Sequence, residues 1–304
     1  MELMMINRVV RVNLLCIVAA IILSSCDTEA VTPLTTQTAN PASTPAPLTT
    51  VDLPSPKHTG TDELSAEPFT AEGYYHRAID EDKRGLTDLA LADYTKALTL
   101  NPQYVEAYID RGTLHWVEQR YVEALRDLNK AVSFDPENAR AYNQRSLVYK
   151  SLNNLDKALA DADKALELRP GYSMAHVNRG IVYSIRRQRD RAIEEFSKAI
   201  DTDPENAIAY YNRALAYVSA DDPNFDNAIA DLSKVVELKP TRFISIADAY
   251  CIRGVLYSMR NRSEEDRSNA KSDFNAVLQM GLEDGDINKD CAERGLQKLA
   301  NSDK

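Results

Sequence analysis

Apolar side chains return at a nearly constant interval from about residue 70 to residue 282. Prolines mark this interval in dipeptides that are 34, 34, 34 and 36 residues apart: Asn101-Pro102, Asp135-Pro136, Arg169-Pro170, Asp203-Pro204 and Lys239-Pro240. Each proline closes an amphipathic run such as TKALTLNP, because proline lacks a backbone N–H and clashes with the preceding helical turn. Asn138 and Asn206, two residues after a proline, have side chains suited to capping the next helix. The pattern predicts consecutive pairs of helices.

Within each unit, large and small residues alternate at fixed places. A large residue early in the first helix is followed four residues later by a small one. These large residues are Tyr74, Tyr108, Tyr142, His176, Tyr210 and Tyr250. The second helix begins its apolar face with an alanine, at Ala90, Ala124, Ala158, Ala192, Ala228 and Ala270. Small residues let two helices cross closely, so each unit is predicted to be a tightly packed helical hairpin.

This pattern resembles the tetratricopeptide repeat, a helical hairpin with a period of about 34 residues. The resemblance implies an all-α fold, a right-handed superhelical solenoid of six hairpins plus a C-terminal capping helix from about Ile287 to Ala300. Residues 283–304 are expected to form this cap and a tail, since terminal repeats need a polar outer face. The expected repeats within 70–282 are about 71–104, 105–138, 139–172, 173–206, 207–242 and 243–282.

Residues 1–25 are predicted to be a signal peptide. Arg8 and Arg11 precede an apolar run, Leu14–Leu23, which is shorter than the roughly 20 residues that a spanning helix needs. The sequence LSSC that ends at Cys26 resembles the lipobox of bacterial lipoproteins, which implies cleavage before Cys26 and lipidation of its thiol. An ordinary signal peptide and an uncleaved signal anchor are the alternatives.

Residues 26–69 are rich in threonine and proline and show no hydrophobic period. Such a segment cannot offset the entropy of ordering by burial, so a disordered tether is predicted. The protein is therefore expected to be exported and lipid-anchored, at the outer face of the cytoplasmic membrane or elsewhere in the cell envelope.

Charge and motifs limit the classes of function. A net charge of −10 argues against nucleic acid as a partner, because phosphates favour a basic surface. No GxSxG, HExxH, P-loop or GxGxxG motif occurs, and no cofactor, metal site or catalytic residue is predicted. We expect a non-catalytic scaffold that binds a protein or peptide. A receptor or carrier for a small ligand such as a glycan or peptide, and an unrecognised enzyme, are the alternatives.

Cys251 and Cys291 are too far apart in sequence for a CxxC motif. A disulfide between them is possible in an oxidising compartment. Two free, half-buried thiols are the preferred interpretation.

Two charged rows run through all six units. The first helices carry Arg77, Arg111, Arg145, Arg179, Arg213 and Arg253. The second helices carry Asp93, Asp127, Asp161, Glu195, Asp231 and Asp273. Because every unit has one of each, we expect structural ion pairs between the helices of most hairpins. An arginine ladder that binds anionic ligands is the alternative.

The resemblance places ligand-facing positions near the start of each first helix. The expected groove residues are Tyr75, Asp110, Asn143, Met174, Val177, Asn178, Ile181, Tyr211, Asn212 and Leu215. The N-terminal members are polar and acidic, and the later ones are apolar with interspersed amides. This order predicts a partner segment with an apolar stretch and a basic flank. The alternative is that several of these residues fill contacts between repeats.

Overall fold

The computed structural model describes residues 70–219, 222–239 and 244–301, within one compact unit. The expected signal peptide, Cys26 and the tether lie outside the described residues. In the described ranges all regular structure is α-helical. The helices are α1 (Ala71–Lys83), α2 (Thr87–Leu100), α3 (Val105–Val117), α4 (Tyr121–Phe134), α5 (Ala139–Ser151), α6 (Leu155–Leu168), α7 (Ser173–Ile185), α8 (Arg189–Thr202), α9 (Ala207–Val218), α10 (Phe225–Leu238), α11 (Ile246–Arg260), α12 (Glu264–Leu278) and α13 (Ile287–Asn301).

Consecutive helices pack as hairpins, from α1 with α2 to α11 with α12, which confirms the predicted solenoid of helical hairpins. Each of the first four hairpins turns through three residues, and one residue of each turn has a left-handed backbone: Gly85, Gln119, Asn153 and Arg187. Asn138 and Asn206 cap α5 and α9 by accepting hydrogen bonds of 3.1 Å from the Ala141 and Ala209 amides. Local sequence therefore fixes both the turns and the helix starts.

The two C-terminal hairpins absorb their extra residues differently. In the fifth, the insertion lengthens the connection between α9 and α10. In the sixth, the turn between α11 and α12 keeps three residues, and the two helices lengthen to 15 residues each. Because the added length amounts to about one helical turn, the apolar faces stay aligned.

The core of each hairpin depends on a small residue in the first helix. Gly180 shows why: a Cβ at this position would lie 2.6 Å from Cε1 of Phe196, a fully buried side chain of α8. Gly254 faces Phe274 in the same way. The close crossing of the helices therefore requires glycine at these two positions.

Helix α13 closes the C-terminal end of the repeats. It packs on α12 and α11, as the first helix of a further hairpin would, and Gly295 lies against Phe274. Its other side carries exposed polar residues, including Glu293, Arg294 and Lys298. This arrangement covers the last apolar core with a polar surface.

A disulfide joins Cys251 of α11 to Cys291 of α13, with the two Cα atoms 6.5 Å apart. The preferred interpretation of two free thiols was therefore wrong. The sequence alone does not show the pairing, because it depends on α13 folding back against α11. The bond ties the cap to the last hairpin across a sequence separation of 40 residues.

The first helices of neighbouring hairpins lie closer together than the second helices. Contacts recur between α3 and α5, α5 and α7, and α7 and α9, whereas neighbouring second helices have isolated contacts at most. In a curved stack the inner layer has the shorter spacing. We therefore call the face formed by the first helices the inner wall.

Candidate binding surface on the inner wall

The arginine row lies between the helices and not on the inner wall. In every hairpin the guanidinium group contacts the acid of the second helix, for example Arg145 Nε at 2.7 Å from Asp161 Oδ2. The pairs are Arg77–Asp93, Arg111–Asp127, Arg145–Asp161, Arg179–Glu195, Arg213–Asp231 and Arg253–Asp273. This geometry favours the structural interpretation of the two rows.

Five of these arginines also bond to the preceding hairpin. Arg145 Nη1 donates to Asn129 Oδ1 over 2.9 Å, and Arg179 Nη1 lies 2.7 Å from Asp163 Oδ1. The corresponding acceptors of the other three are Thr95, Ser197 and Ser233. Each of these five arginines therefore connects the two helices of its own hairpin and links that hairpin to the preceding one. Few of its N–H donors remain for a ligand.

In the fourth hairpin, the pKa of the acid, Glu195, is strongly lowered. His176 stands where most hairpins have tyrosine, and its Nδ1 lies 2.8 Å from Glu195 Oε2. Burial alone raises the pKa of Glu195, but hydrogen bonds from His176, Arg179 and Lys198 outweigh it and lower the pKa to about 2. Glu195 is therefore an ionised structural group.

At the N-terminal end of the inner wall, polar residues pair with each other. The Tyr75 hydroxyl donates to Asp110 Oδ2 over 2.7 Å, and Arg140 of the next hairpin contacts the other carboxylate oxygen. Burial and the bond to Asp110 raise the pKa of Tyr75. Asp110 is therefore neutralised within the chain, which removes one of the acids on which the expected basic flank of a partner depended.

Three expected groove residues are buried, so their assignment to the groove was wrong. Asn143 and Asn178 are each 3% exposed, and Asn178 Nδ2 donates to Asn143 Oδ1 over 2.8 Å. Val177 is 1% exposed and packs against Ala199 and neighbouring apolar residues. The close approach of α5 and α7 covers the two asparagines, whereas α8 and α9 cover Val177.

The remaining expected residues lie partly exposed on the inner wall: Met174, Ile181, Tyr211, Asn212 and Leu215. The Asn212 side-chain amide donates to the Ile208 carbonyl of the same helix over 2.8 Å. Tyr211 and Leu215 pack on the core of the fifth and sixth hairpins. They contribute aromatic and apolar surface to the inner wall.

The middle of the inner wall carries residues that the expected groove omitted. We define the central row as Trp116, Lys150 and Ser184, which are 34 residues apart on α3, α5 and α7. Trp116 Nε1 donates to Ser151 Oγ over 2.8 Å, which holds the indole against the end of α5. Ile185, next to Ser184, is 49% exposed. The 34-residue spacing and the single tryptophan were the available sequence signals.

Lys150 is the unusual member of the central row. It is half-buried, and burial alone lowers the pKa of its amine to about 8. No carboxylate in the described part of the chain contributes to this shift. An apolar and aromatic surface with one uncompensated amine can hold a segment that has both apolar and anionic groups.

The described residues contain no group of three His, Cys, Asp or Glu side chains that could hold a metal ion. The helices of these ranges also include none with the length and hydropathy of a membrane span.

Comparisons with solved structures support the fold. A tetratricopeptide-repeat protein from Parabacteroides merdae is 24% identical, with a TM-score of 0.57, over 77% of this chain and 87% of the other. TTC0263 from Thermus thermophilus is 22% identical, with a TM-score of 0.54, over 62% and 98%. PilF from Pseudomonas aeruginosa is 19% identical, with a TM-score of 0.59, over 72% and 94%. At these identities the likeness concerns the fold alone.

Family models identify the repeats directly, although no curated protein sequence matches the chain significantly. Models described as tetratricopeptide repeat match residues 75–139 and 139–172, and one described as TPR repeat matches residues 188–220. These segments cover hairpins in which the structure shows the repeat's helix pairs and small-residue crossings. The chain therefore contains tetratricopeptide repeats, matched over residues 75–172 and 188–220.

Proposed function

We propose that the protein is a non-catalytic scaffold that binds a segment of another protein on the inner wall, at the cell envelope. The proposal rests on the side chains at the middle of the inner wall. Trp116, Ile181 and Ile185 present aromatic and apolar surface there, and Lys150 presents an amine with no carboxylate partner. The first helices of a rigid stack hold these groups in fixed positions.

The charged groups elsewhere have structural roles. The arginine row and its acids bond to each other, and Tyr75, Asp110 and Arg140 form a closed set. General acid–base catalysis needs a titratable group within reach of a reacting atom, and these groups are consumed by internal bonds. A binding role fits this distribution better than an enzyme does.

The open shape of the inner wall favours an extended partner over a small ligand. Small-molecule sites enclose most of the ligand surface. Here Ser184 and Ile185 are exposed beside the half-buried Trp116 and Lys150. A peptide or helix gains contact by spanning several hairpins, whereas a small molecule would touch only one or two.

We also propose that the protein is exported and lipid-anchored through Cys26. Two or more acyl chains on Cys26 would hold the protein on a bilayer, since each buried CH₂ contributes about 0.8 kcal/mol. The disulfide between Cys251 and Cys291 supports an oxidising compartment, because cytosolic thiols are kept reduced.

The anchor is tested by expressing the chain and its Cys26→Ser variant in bacteria with an alkyne-tagged palmitate. We expect the unaltered chain to carry the label and sediment with membranes, and the variant to lose both properties. An unlabelled wild-type chain, or a variant that is labelled equally, would contradict lipidation at Cys26.

Binding at the inner wall is tested by placing a photo-cross-linking residue at Ser184 or, as an outer control, at Lys157 of α6. We expect defined cross-linked partner bands from Ser184 in native membranes, and loss of these bands when Ile181→Glu is added. Bands that form equally from Lys157, or that persist with Ile181→Glu, would remove the inner wall as the binding surface.

A further inference from the structure

Lys150 differs from the cations around it in having no counter-charge. Arg145, five residues earlier on α5, bonds to Asp161 and Asn129. Other partly buried lysines contact acids, as Lys198 does with Glu194 over 2.6 Å and Lys234 with Glu237 over 2.9 Å. Burial is the one influence on the pKa of Lys150, and it lowers that pKa to about 8.

The neighbours of Lys150 along the central row are aromatic and apolar. The residue lies one position before Ser151, whose hydroxyl accepts the Trp116 indole N–H over 2.8 Å. On the other side, α7 packs against α5, and Ile185 is the residue after Ser184, the member of the central row on α7. Lys150 is therefore a half-buried member of a row that has the Trp116 indole on the preceding hairpin and the exposed Ile185 next to the row on the following one.

An uncompensated cation in such a place is costly to the free protein. Removing an amine from water without a hydrogen-bonded anion disfavours its charged form. A carboxylate that arrives with a ligand would form a charge-assisted hydrogen bond, which is stronger in partly dry surroundings than in water. Because Asp110 already pairs with Tyr75 and Arg140, it does not compete for this position.

We propose that Lys150 binds a carboxylate of the partner segment, and that an apolar side chain next to this carboxylate packs on Ile181 and Ile185. The proposal rests on the proposed scaffold function and specifies its ligand as an acidic and apolar peptide, in place of the basic flank expected from sequence. The carboxylate belongs either to an Asp or Glu side chain or to the peptide's C-terminus.

The probe is an array of twelve-residue peptides in matched forms. One set places Glu or Asp beside Leu, with an amidated C-terminus. The second replaces the acid with Gln or Asn. The third keeps Gln or Asn and frees the C-terminal carboxylate. The full chain in detergent is applied as wild type, as Lys150→Met, and as Lys157→Met, which removes an exposed lysine of the neighbouring helix α6.

We expect carboxylate-bearing peptides to bind wild type and Lys157→Met about tenfold or more tightly than Lys150→Met. Amide-only peptides should bind all three proteins equally. The set that shows the difference identifies the carboxylate as a side chain or a C-terminus. Lys150→Arg should retain part of the preference. A circular-dichroism melt verifies folding of each variant, and Lys150→Gln replaces the methionine variant if it melts early.

Two results would overturn the proposal and leave the scaffold function standing. They are equal binding of acid and amide peptides by wild type, and an acid preference that Lys150→Met retains. If no peptide set binds the wild-type chain, the carboxylate site and peptide binding on the inner wall both fail.

Discussion

Helix α5 carries two cations that lie in different regions of the molecule. Arg145 points into the layer between helices, where Asp161 and Asn129 accept its hydrogen bonds and the Tyr142 ring lies 5.3 Å from its guanidinium carbon. Lys150 lies on the inner wall, where its side chain is half-buried and has no acid partner. The same helix therefore supplies a structural cation and an unpaired one. The difference indicates which region holds the repeats together and which is left for a ligand.

The largest expected effect comes from breaking the structural pair. Asp161→Ala leaves Arg145, whose side chain is 16% exposed, without its acid. Because this leaves a nearly buried charge uncompensated, the free energy of unfolding should fall by about 3 kcal/mol or more. Denaturant melts of wild type and variant measure the change.

The control for this variant is Asp156→Ala. Asp156 also pairs with an arginine, Arg186, but its side chain is 93% exposed. A loss below about 1 kcal/mol is expected. Equal losses for the two variants would show that the interhelical arginine layer is no more important than the surface pairs.

Removing the unpaired cation, Lys150, should instead raise the free energy of unfolding, by an amount that depends on pH. Because the folded-state pKa of Lys150 is lowered to about 8, the unfolded chain binds more protons than the folded chain between pH 8 and about 10.5. Below pH 8 the amine therefore destabilises the fold, and this penalty is relieved as the pH rises toward 10.5.

Lys150→Met removes this penalty at every pH. Relative to wild type, the variant should be more stable at pH 7.5 by about 1–3 kcal/mol and should lose that advantage by pH 10.5. The difference between the two proteins isolates Lys150 from other groups that titrate in this range. A difference that stays constant from pH 7.5 to 10.5 would show that Lys150 is solvated normally.

A smaller effect is expected where the inner wall is buried and internally bonded. Asn178→Ala leaves the buried Asn143 carbonyl without its 2.8 Å donor, so the unfolding free energy should fall by about 1–3 kcal/mol. Asn212→Ala, at a partly exposed position, serves as the control and should cost less. If the two variants lose similarly small amounts of unfolding free energy, the hydrogen bond between Asn178 and Asn143 does not stabilise the contact between α5 and α7.

The smallest effect on stability is expected at the exposed strip beside Lys150. Ile185 is 49% exposed, so Ile185→Ser should change the unfolding free energy by about 0.5 kcal/mol or less. The same variant should weaken binding of every apolar peptide in the array, with or without a carboxylate. Unchanged peptide binding would exclude Ile185 from the binding surface.

The helical hairpins and the arginine row could be predicted because they repeat. Residues such as Arg145 and Asp161 return in each unit, and a repeated pair of opposite charges on facing helices has one simple arrangement. The groove residues do not follow from the same pattern. The burial of Asn143 and Asn178 depends on how closely α5 and α7 approach, and that of Val177 on how α8 and α9 pack against α7. These distances between helices cannot be read from the local sequence.

Features that do not repeat were also missed. The pairing of Cys251 with Cys291 depends on where α13 folds back, and its sequence separation of 40 residues carries no motif. Lys150 has no counterpart at the same place in the neighbouring repeats, where Trp116 and Ser184 stand. Lys150 stands out only when the same helical position is compared in α3, α5 and α7.

The most direct test of the unpaired amine is an NMR titration of Lys150 in the reductively ¹³C-methylated chain, with Lys150→Arg used to assign its signal. The pKa of the free chain should be about 8, and it should rise by a unit or more when a Glu–Leu peptide is added at saturation, but not with the Gln–Leu form. A pKa near 10.4 that neither peptide changes would contradict both the buried, unpaired amine and its role in binding a carboxylate.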